Sequence, residues 1–172
     1  MIFIIIVAIA IFAVDLVTKY WAASALAGGE SISIIGDILH FRYTTNTGGA
    51  FSMFNSMPWL FFVLIPLIVL LIIFFLVKYK PKHWVARTAA ALILSGAAGN
   101  MFDRIVFGYV RDFIYLKAIN FAIFNVADMA IVVGAILLGI YILFLDKGPD
   151  AIFPENKKPT ETKQGETDDG NA

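Results

Sequence analysis

The sequence predicts an all-α polytopic membrane protein with four transmembrane helices and a small extracytoplasmic β element in the first outer loop. Three observations carry that expectation. Hydrophobic residues make up 60% of the 172-residue chain and charged residues 15%, against about 45–50% and about 25% in soluble domains. The mean hydropathy is +0.83. Four apolar segments are each close to the roughly 20 residues that a helix needs to cross a bilayer. The length suits one compact membrane domain over residues 1–145, followed by a tail.

The first segment runs from about Ile2 to Ala25, interrupted by Asp15 and Lys19. Ala25-Leu26-Ala27 fits a small-x-small cleavage pattern, but no basic residue precedes the apolar run, so a retained span is expected rather than a signal peptide. The second segment, about Pro58 to Val77, contains no charge. The third runs from about Val85 to Phe107, with Arg87 at its start and Asp103-Arg104 near its end. The fourth runs from about Phe124 to Leu145 and holds Asp128 as its charged residue.

The loop between spans two and three carries Lys78, Lys80, Lys82 and Arg87, so it is expected to stay cytoplasmic. Both termini then lie in the cytoplasm and the other two loops face outward. In the first outer loop, Ser31-Ile32-Ser33-Ile34 and His40-Phe41-Arg42-Tyr43-Thr44 alternate as strands do, with Gly36-Asp37 between them as a turn. The segment 146–172 is rich in Lys, Glu, Thr, Pro, Asp and Gly and reads as a disordered cytoplasmic tail.

The formal net charge of zero gives no electrostatic case for nucleic acid. The chain has no cysteine, which excludes disulfides and thiolate chemistry. His40 and His83 are far apart and form no helical pair, so a zinc site has little support. No metal or cofactor is expected.

The polar residues inside the spans share one depth. At ~1.5 Å per residue, Asp15 and Lys19 lie ~20–26 Å along span one, and Asn100 and Asp103 lie ~23–27 Å along span three. Span four runs the other way, so Asn125 and Asp128 lie within its first ~6 Å. All of these groups fall in the outer third of the membrane, where intramembrane ionisable groups are functional candidates. Asp15 and Lys19 are spaced to pair on one helix face. Asp112, in the short loop after span three, can swing back toward Asp128. Two carboxylates in a partly desolvated site do not both ionise easily, which leaves an acid beside a base. Such a pair can activate water against a peptide carbonyl. Composition and spacing leave the choice among Asp103, Asp112 and Asp128 open.

Structural readings stand beside these. Asp15–Lys19 alone reads as an ion pair, and Asp103-Arg104 as an interfacial anchor. Asn125 and Asp128 read as a helix N-terminal cap. Ser95-Gly96-Ala97-Ala98-Gly99 reads as a close-packing run. The shared depth outweighs each of them.

Four ordered blocks resemble one known family. These are Asp15-Leu16-Val17-Thr18-Lys19; Asn46-Thr47-Gly48-Gly49-Ala50-Phe51; Gly96 through Arg104 with Gly108-Tyr109-Val110-Arg111-Asp112-Phe113-Ile114; and Phe124-Asn125-Val126-Ala127-Asp128. In that order, on a four-span chain, they resemble bacterial lipoprotein signal peptidase, the signal peptidase II family. The resemblance implies an aspartyl endopeptidase of the bacterial inner membrane. Its substrate would be a lipid-modified prolipoprotein, cut just before a cysteine that carries a diacylglyceryl group, with membrane phospholipid as surroundings. It maps the catalytic pair onto Asp112 and Asp128. Supporting and substrate-positioning roles map onto Asp15, Lys19, Asn46, Gly48, Asn100, Asp103, Arg104 and Asn125. It also implies a small extracytoplasmic sheet.

Departures from the family pattern are Leu16 for a polar residue, Ser95 for glycine, Arg111 for an apolar residue and Met129 for a small hydroxyl residue. Arg111 beside Asp112 is expected to lower that aspartate's pKa, making Asp128 the protonated partner. Two rivals are a proton-coupled transporter, which would place its aspartates nearer the midplane, and a non-catalytic assembly factor, which would tolerate Asp112→Asn.

Overall fold

A computed structural model describes residues 2–47 and 59–146. Pro58, Gly48 through Phe51 and the tail from residue 147 lie outside the described residues. The elements, in chain order, are α1 (Ile2–Ala25), β1 (Ser31–Ile35), β2 (Leu39–Asn46), α2 (Trp59–Tyr79), α3 (Trp84–Phe107), β3 (Val110–Leu116) and α4 (Val126–Ile140). A short 3-10 turn, Lys117–Ile119, follows β3, and a π-type turn, Tyr141–Leu145, prolongs α4. All four helices are long and apolar enough to cross a membrane, counting α4 with its extension.

Helix α3 is the hub, packed against α4, α1 and α2. Its sequence explains why. Ala89, Ala90, Ala91, Ser95, Gly96, Ala97 and Gly99 are all buried, and small side chains let helix backbones approach closely where lipid offers no hydrophobic drive for association. A Cβ on Gly96 would run into the Ala127 carbonyl oxygen of α4. One on Gly134 of α4 would meet Ile93 Cγ1 at 2.8 Å and Ala89 O at 2.9 Å. The small residues therefore form two contact points between α3 and α4. Helix α2 is the most lipid-exposed, with only Ile72 and Leu76 buried.

The sheet is antiparallel in the order β1-β2-β3. The first outer loop supplies the expected β1–β2 hairpin, with Gly36 in its turn at φ +43. The third strand comes from the loop after α3, which the sequence reading left without regular structure. Gly108 makes this possible: at φ +81 it caps α3, its N–H bonding Arg104 O at 3.1 Å. A left-handed cap suits glycine because it has no Cβ to clash. The chain then turns into β3, which pairs with β2 through Thr44↔Asp112 and Asn46↔Val110.

An aromatic cluster fixes the sheet on α1. Trp21, Phe41 and Phe113 meet edge to face, with ring centroids 5.5–6.2 Å apart, over the buried Ala22 and Leu26. On its other edge, β3 holds the residue before the α4 cap. Phe113 and Ile114 both donate to Phe124 O, and Phe124 N–H returns a bond to Ile114 O at 3.0 Å. Three distant segments thus converge at one end of the bundle.

Candidate active site

Among the described residues, most of the buried polar side chains gather at that end. Asp15, Lys19, Asn100, Asp103, Arg111, Asp112 and Asn125 are each no more than 6% exposed, and Asp128 and Arg104 are half-buried. Charged groups withdrawn this far from water need ion pairs or hydrogen bonds: Asp15, Lys19, Asp103 and Arg111 are ion-paired, whereas Asp112 and Asp128 are held by asparagine amides.

Lys19 is the inner anchor. Its Nζ lies 2.8 Å from Asp15 Oδ2, one helical turn away, and 3.6 Å from Asp103 Oδ2. It also donates to Asn100 Oδ1 at 3.0 Å. The other oxygen of Asp15 accepts the backbone N–H of Ala127 at 2.9 Å. That N–H is in the first turn of α4 and has no partner inside its own helix. The Asp15–Lys19 pair is therefore both a structural ion pair and the joint between α1, α3 and α4. Gly99 leaves the room for it, because a Cβ there would strike Asp15 Oδ2.

Asn125 is the outer joint. It caps α4 through a reciprocal box: its Oδ1 accepts Asp128 N–H at 3.0 Å, and Asp128 Oδ2 accepts Asn125 N–H at 3.2 Å. Its Nδ2 donates to Asp112 Oδ1 at 2.6 Å and to Asn100 Oδ1 at 3.2 Å. Asn100 Nδ2 in turn donates to Asp128 Oδ1 at 2.7 Å. Asn46, two residues along β2 from Thr44, the register partner of Asp112, donates to Asp112 Oδ2 at 2.8 Å. Capping and site geometry are thus the same set of bonds, and three asparagines hold two carboxylates in one place. Arg104 donates to Asn100 O at 3.3 Å and stacks over the Phe61 ring with 4.1 Å to its centroid.

Burial, first, and the negative charge of Asp128 push the Asp112 carboxyl up to about 7, against the pull of its bonds from Asn46 and Asn125. This corrects the expectation that Arg111 lowers it. Successive strand side chains point to opposite faces, so Arg111 turns away from Asp112. Its Nε and Nη2 grip Asp103 at 3.1 and 2.7 Å, and its backbone N–H adds a third bond at 3.0 Å.

Of the site residues expected from sequence, the structure brings together Asp15, Lys19, Asn46, Asn100, Asp103, Arg104, Asp112, Asn125 and Asp128; Gly48 lies outside the described residues. The role of Arg111 was missed. The signal in the sequence was a cation eight residues after Asp103 and out of phase with Asp112. Among the described residues, no group of three or more His, Asp or Glu side chains is arranged to hold a metal ion.

The family model described as Signal peptidase (SPase) II matches residues 7–144. The chain belongs to the signal peptidase II family. It is 39% identical over 132 residues to a protein of Clostridium novyi named lipoprotein signal peptidase, covering 75% of this chain and 89% of that one. A protein of the same name from Trichormus variabilis is 41% identical over 141 residues, covering 81% and 87%. A solved bacterial membrane enzyme superposes with a TM-score of 0.77 at 31% identity, over 93% of this chain and 94% of its own. As a signal peptidase II, the chain is a peptide-bond hydrolase and a multi-pass protein of the bacterial inner membrane, and the expected family and enzyme class hold.

Proposed function

We propose that Asp112 and Asp128 are the catalytic dyad and that the enzyme cuts the signal peptide from prolipoproteins just before a diacylglyceryl-modified cysteine. The observation that carries this reading is Asn125, which bonds to both carboxylates from the first turn of α4. It supports a dyad held at fixed separation by elements distant in sequence, as preorganised catalysis requires.

Asp112, whose carboxyl titrates near 7, serves as the proton donor to the scissile carbonyl, and Asp128 takes a proton from the attacking water. The two exchange roles as the amine departs. Asn46 and Asn100 orient the carboxylates, and Asp15, Lys19, Asp103 and Arg104 hold the frame. Gly48 completes the second family block beside Asn46 and is assigned to substrate positioning.

The basic turn between α2 and α3 supports an orientation with both termini in the cytoplasm and the dyad near the outer face. The substrate's signal helix then enters from the lipid, with its acyl chains left in the membrane. The four-helix unit, residues 1–145, is assigned this chemistry, and the segment 146–172 is assigned to a cytoplasmic tail.

The test is cleavage of a diacylglyceryl-modified prolipoprotein by the purified enzyme in detergent, with Asp128→Asn beside it. Cleavage by the wild type alone supports substrate and dyad together. Cleavage by both discards the dyad, and cleavage by neither, with folded protein, discards the substrate.

A further inference from the structure

At the end of the bundle opposite the carboxylates, α1 meets the turn between α2 and α3. Arg87, in the first turn of α3, precedes Asn100 by thirteen residues, or ~20 Å along the helix. A cavity of about 350 Å³ opens here, lined by Ile4, Leu76, Val77, Lys80, Pro81 and Arg87. Its walls are apolar and its charged lining is wholly cationic.

Among the described residues, the cations lack counter-ions. Arg87 is half-buried, and its Nε donates to the Pro81 carbonyl at 3.0 Å. Its terminal nitrogens have no partner among the described residues. Lys80 follows the last residue of α2, and no carboxylate pairs with either side chain among the described residues. The whole turn from Lys78 to Arg87 contains no acidic residue. A cation partly withdrawn from water needs an anion close by.

The boundary of the bilayer supplies one. A guanidinium fork matches the oxygens of a phosphate, and a basic pocket between membrane helices suits an anionic headgroup. The aliphatic side chains of Ile4, Leu76 and Val77 extend the pocket toward the hydrocarbon, which a soluble anion would leave unfilled. A zwitterionic lipid brings its own cation to a pocket that already holds two.

We propose that this cavity is a binding site for an anionic phospholipid, with Arg87 and Lys80 on its phosphodiester and Ile4, Leu76 and Val77 against its glycerol and first acyl carbons. The site is separate from the dyad and does not depend on the catalytic assignment.

Native mass spectrometry of the full chain in mild detergent, titrated with phosphatidylglycerol, phosphatidylcholine or inorganic phosphate, tests it. The expected result is retention of phosphatidylglycerol over phosphatidylcholine by roughly fivefold or more. Arg87→Gln combined with Lys80→Gln brings the two lipids level and leaves basal peptidase activity unchanged. Lys80→Gln alone, at an exposed position that folding tolerates, lowers the preference by roughly twofold or more.

Equal retention of the two lipids by the wild type overturns the proposal, as does a preference that survives these substitutions. Displacement of the lipid by millimolar phosphate makes this a soluble-anion site and overturns the lipid assignment. A carbodiimide cross-link from Lys80 to Glu155 or Glu161 in lipid-replete protein gives the cations an internal partner and also overturns it.

Discussion

Arg111 grips Asp103 with two guanidinium nitrogens and its own backbone N–H, binding the start of β3 to the last turns of α3. The pair is 7% and 0% exposed at the side chains, and the guanidinium also stacks over Phe107 with 4.5 Å to the ring centroid. Asp112 is the next residue, so its aim is set by this clamp.

Removing one partner of a buried pair leaves a charge uncompensated and costs about 3–5 kcal/mol. Arg111→Leu is expected at the lower end, about 3 kcal/mol, because Lys19 remains 3.6 Å from Asp103. Thermal unfolding in detergent measures it. Arg111→Leu with Asp103→Asn should recover much of the loss. An unchanged midpoint in Arg111→Leu would mean that the clamp carries no stability.

Asn125 separates capping from catalysis. Asn125→Ser keeps a side-chain acceptor for Asp128 N–H but loses the amide that donates to Asp112 Oδ1. Serine is a good N-cap, whereas alanine costs about 1 kcal/mol. The serine variant should therefore unfold near the wild-type temperature and turn over about 100-fold more slowly, the scale of a misplaced catalytic group. Asn125→Ala should show both defects. Full turnover in Asn125→Ser would rule out a positioning role.

Much of the site was legible because helices convert spacing into geometry. Asp15 and Lys19 pair one turn apart as their spacing demands, and the common depth of Asp15, Asn100 and Asp128 follows from the helical rise alone. What could not be read depends on contacts remote in sequence. Asp112 stands beside Asn46 across 66 positions, and β3 becomes a strand only because β2 and Phe124 flank it. Arg111 was read as a neighbour of Asp112 in sequence, but strand alternation turns it to Asp103 instead. Capping and catalytic readings of Asn125 and Asp128 stand as alternatives in the sequence; the structure shows the capping box and bonds the same Asn125 to Asp112, so the cap does not exclude the proposed dyad.

The small-residue run of α3 was assigned to packing, yet Gly99 also sets the site. Its missing Cβ leaves space that Asp15 Oδ2 occupies. Gly99→Ala must push that carboxylate off Lys19 or spread α1 from α3, and overpacking of this kind costs about 1–3 kcal/mol. Gly139, with nothing within 4 Å of an added Cβ, is the control: Gly139→Ala should be neutral or slightly stabilising. Both are read from the unfolding midpoint and the cleavage rate. Equal behaviour of the two variants would contradict the close approach at Gly99.

The Asp112 carboxyl gives the enzyme a pH signature. Its pKa stands at about 7 in the folded protein against an ordinary 3.8. Between those values the folded state holds a proton that the unfolded state has released, so stability falls as pH rises from about 4 to about 7 and levels off above. The slope should become shallower in Asp112→Asn, which cannot ionise, and the difference in unfolding midpoint between pH 5 and pH 8 measures it. With Asp112 as the proton donor, kcat/KM should decline as pH rises through about 7, because the donor form is lost there. A cleavage rate that climbs steadily from pH 6 to pH 9 would reverse the assignment and make Asp112 the base.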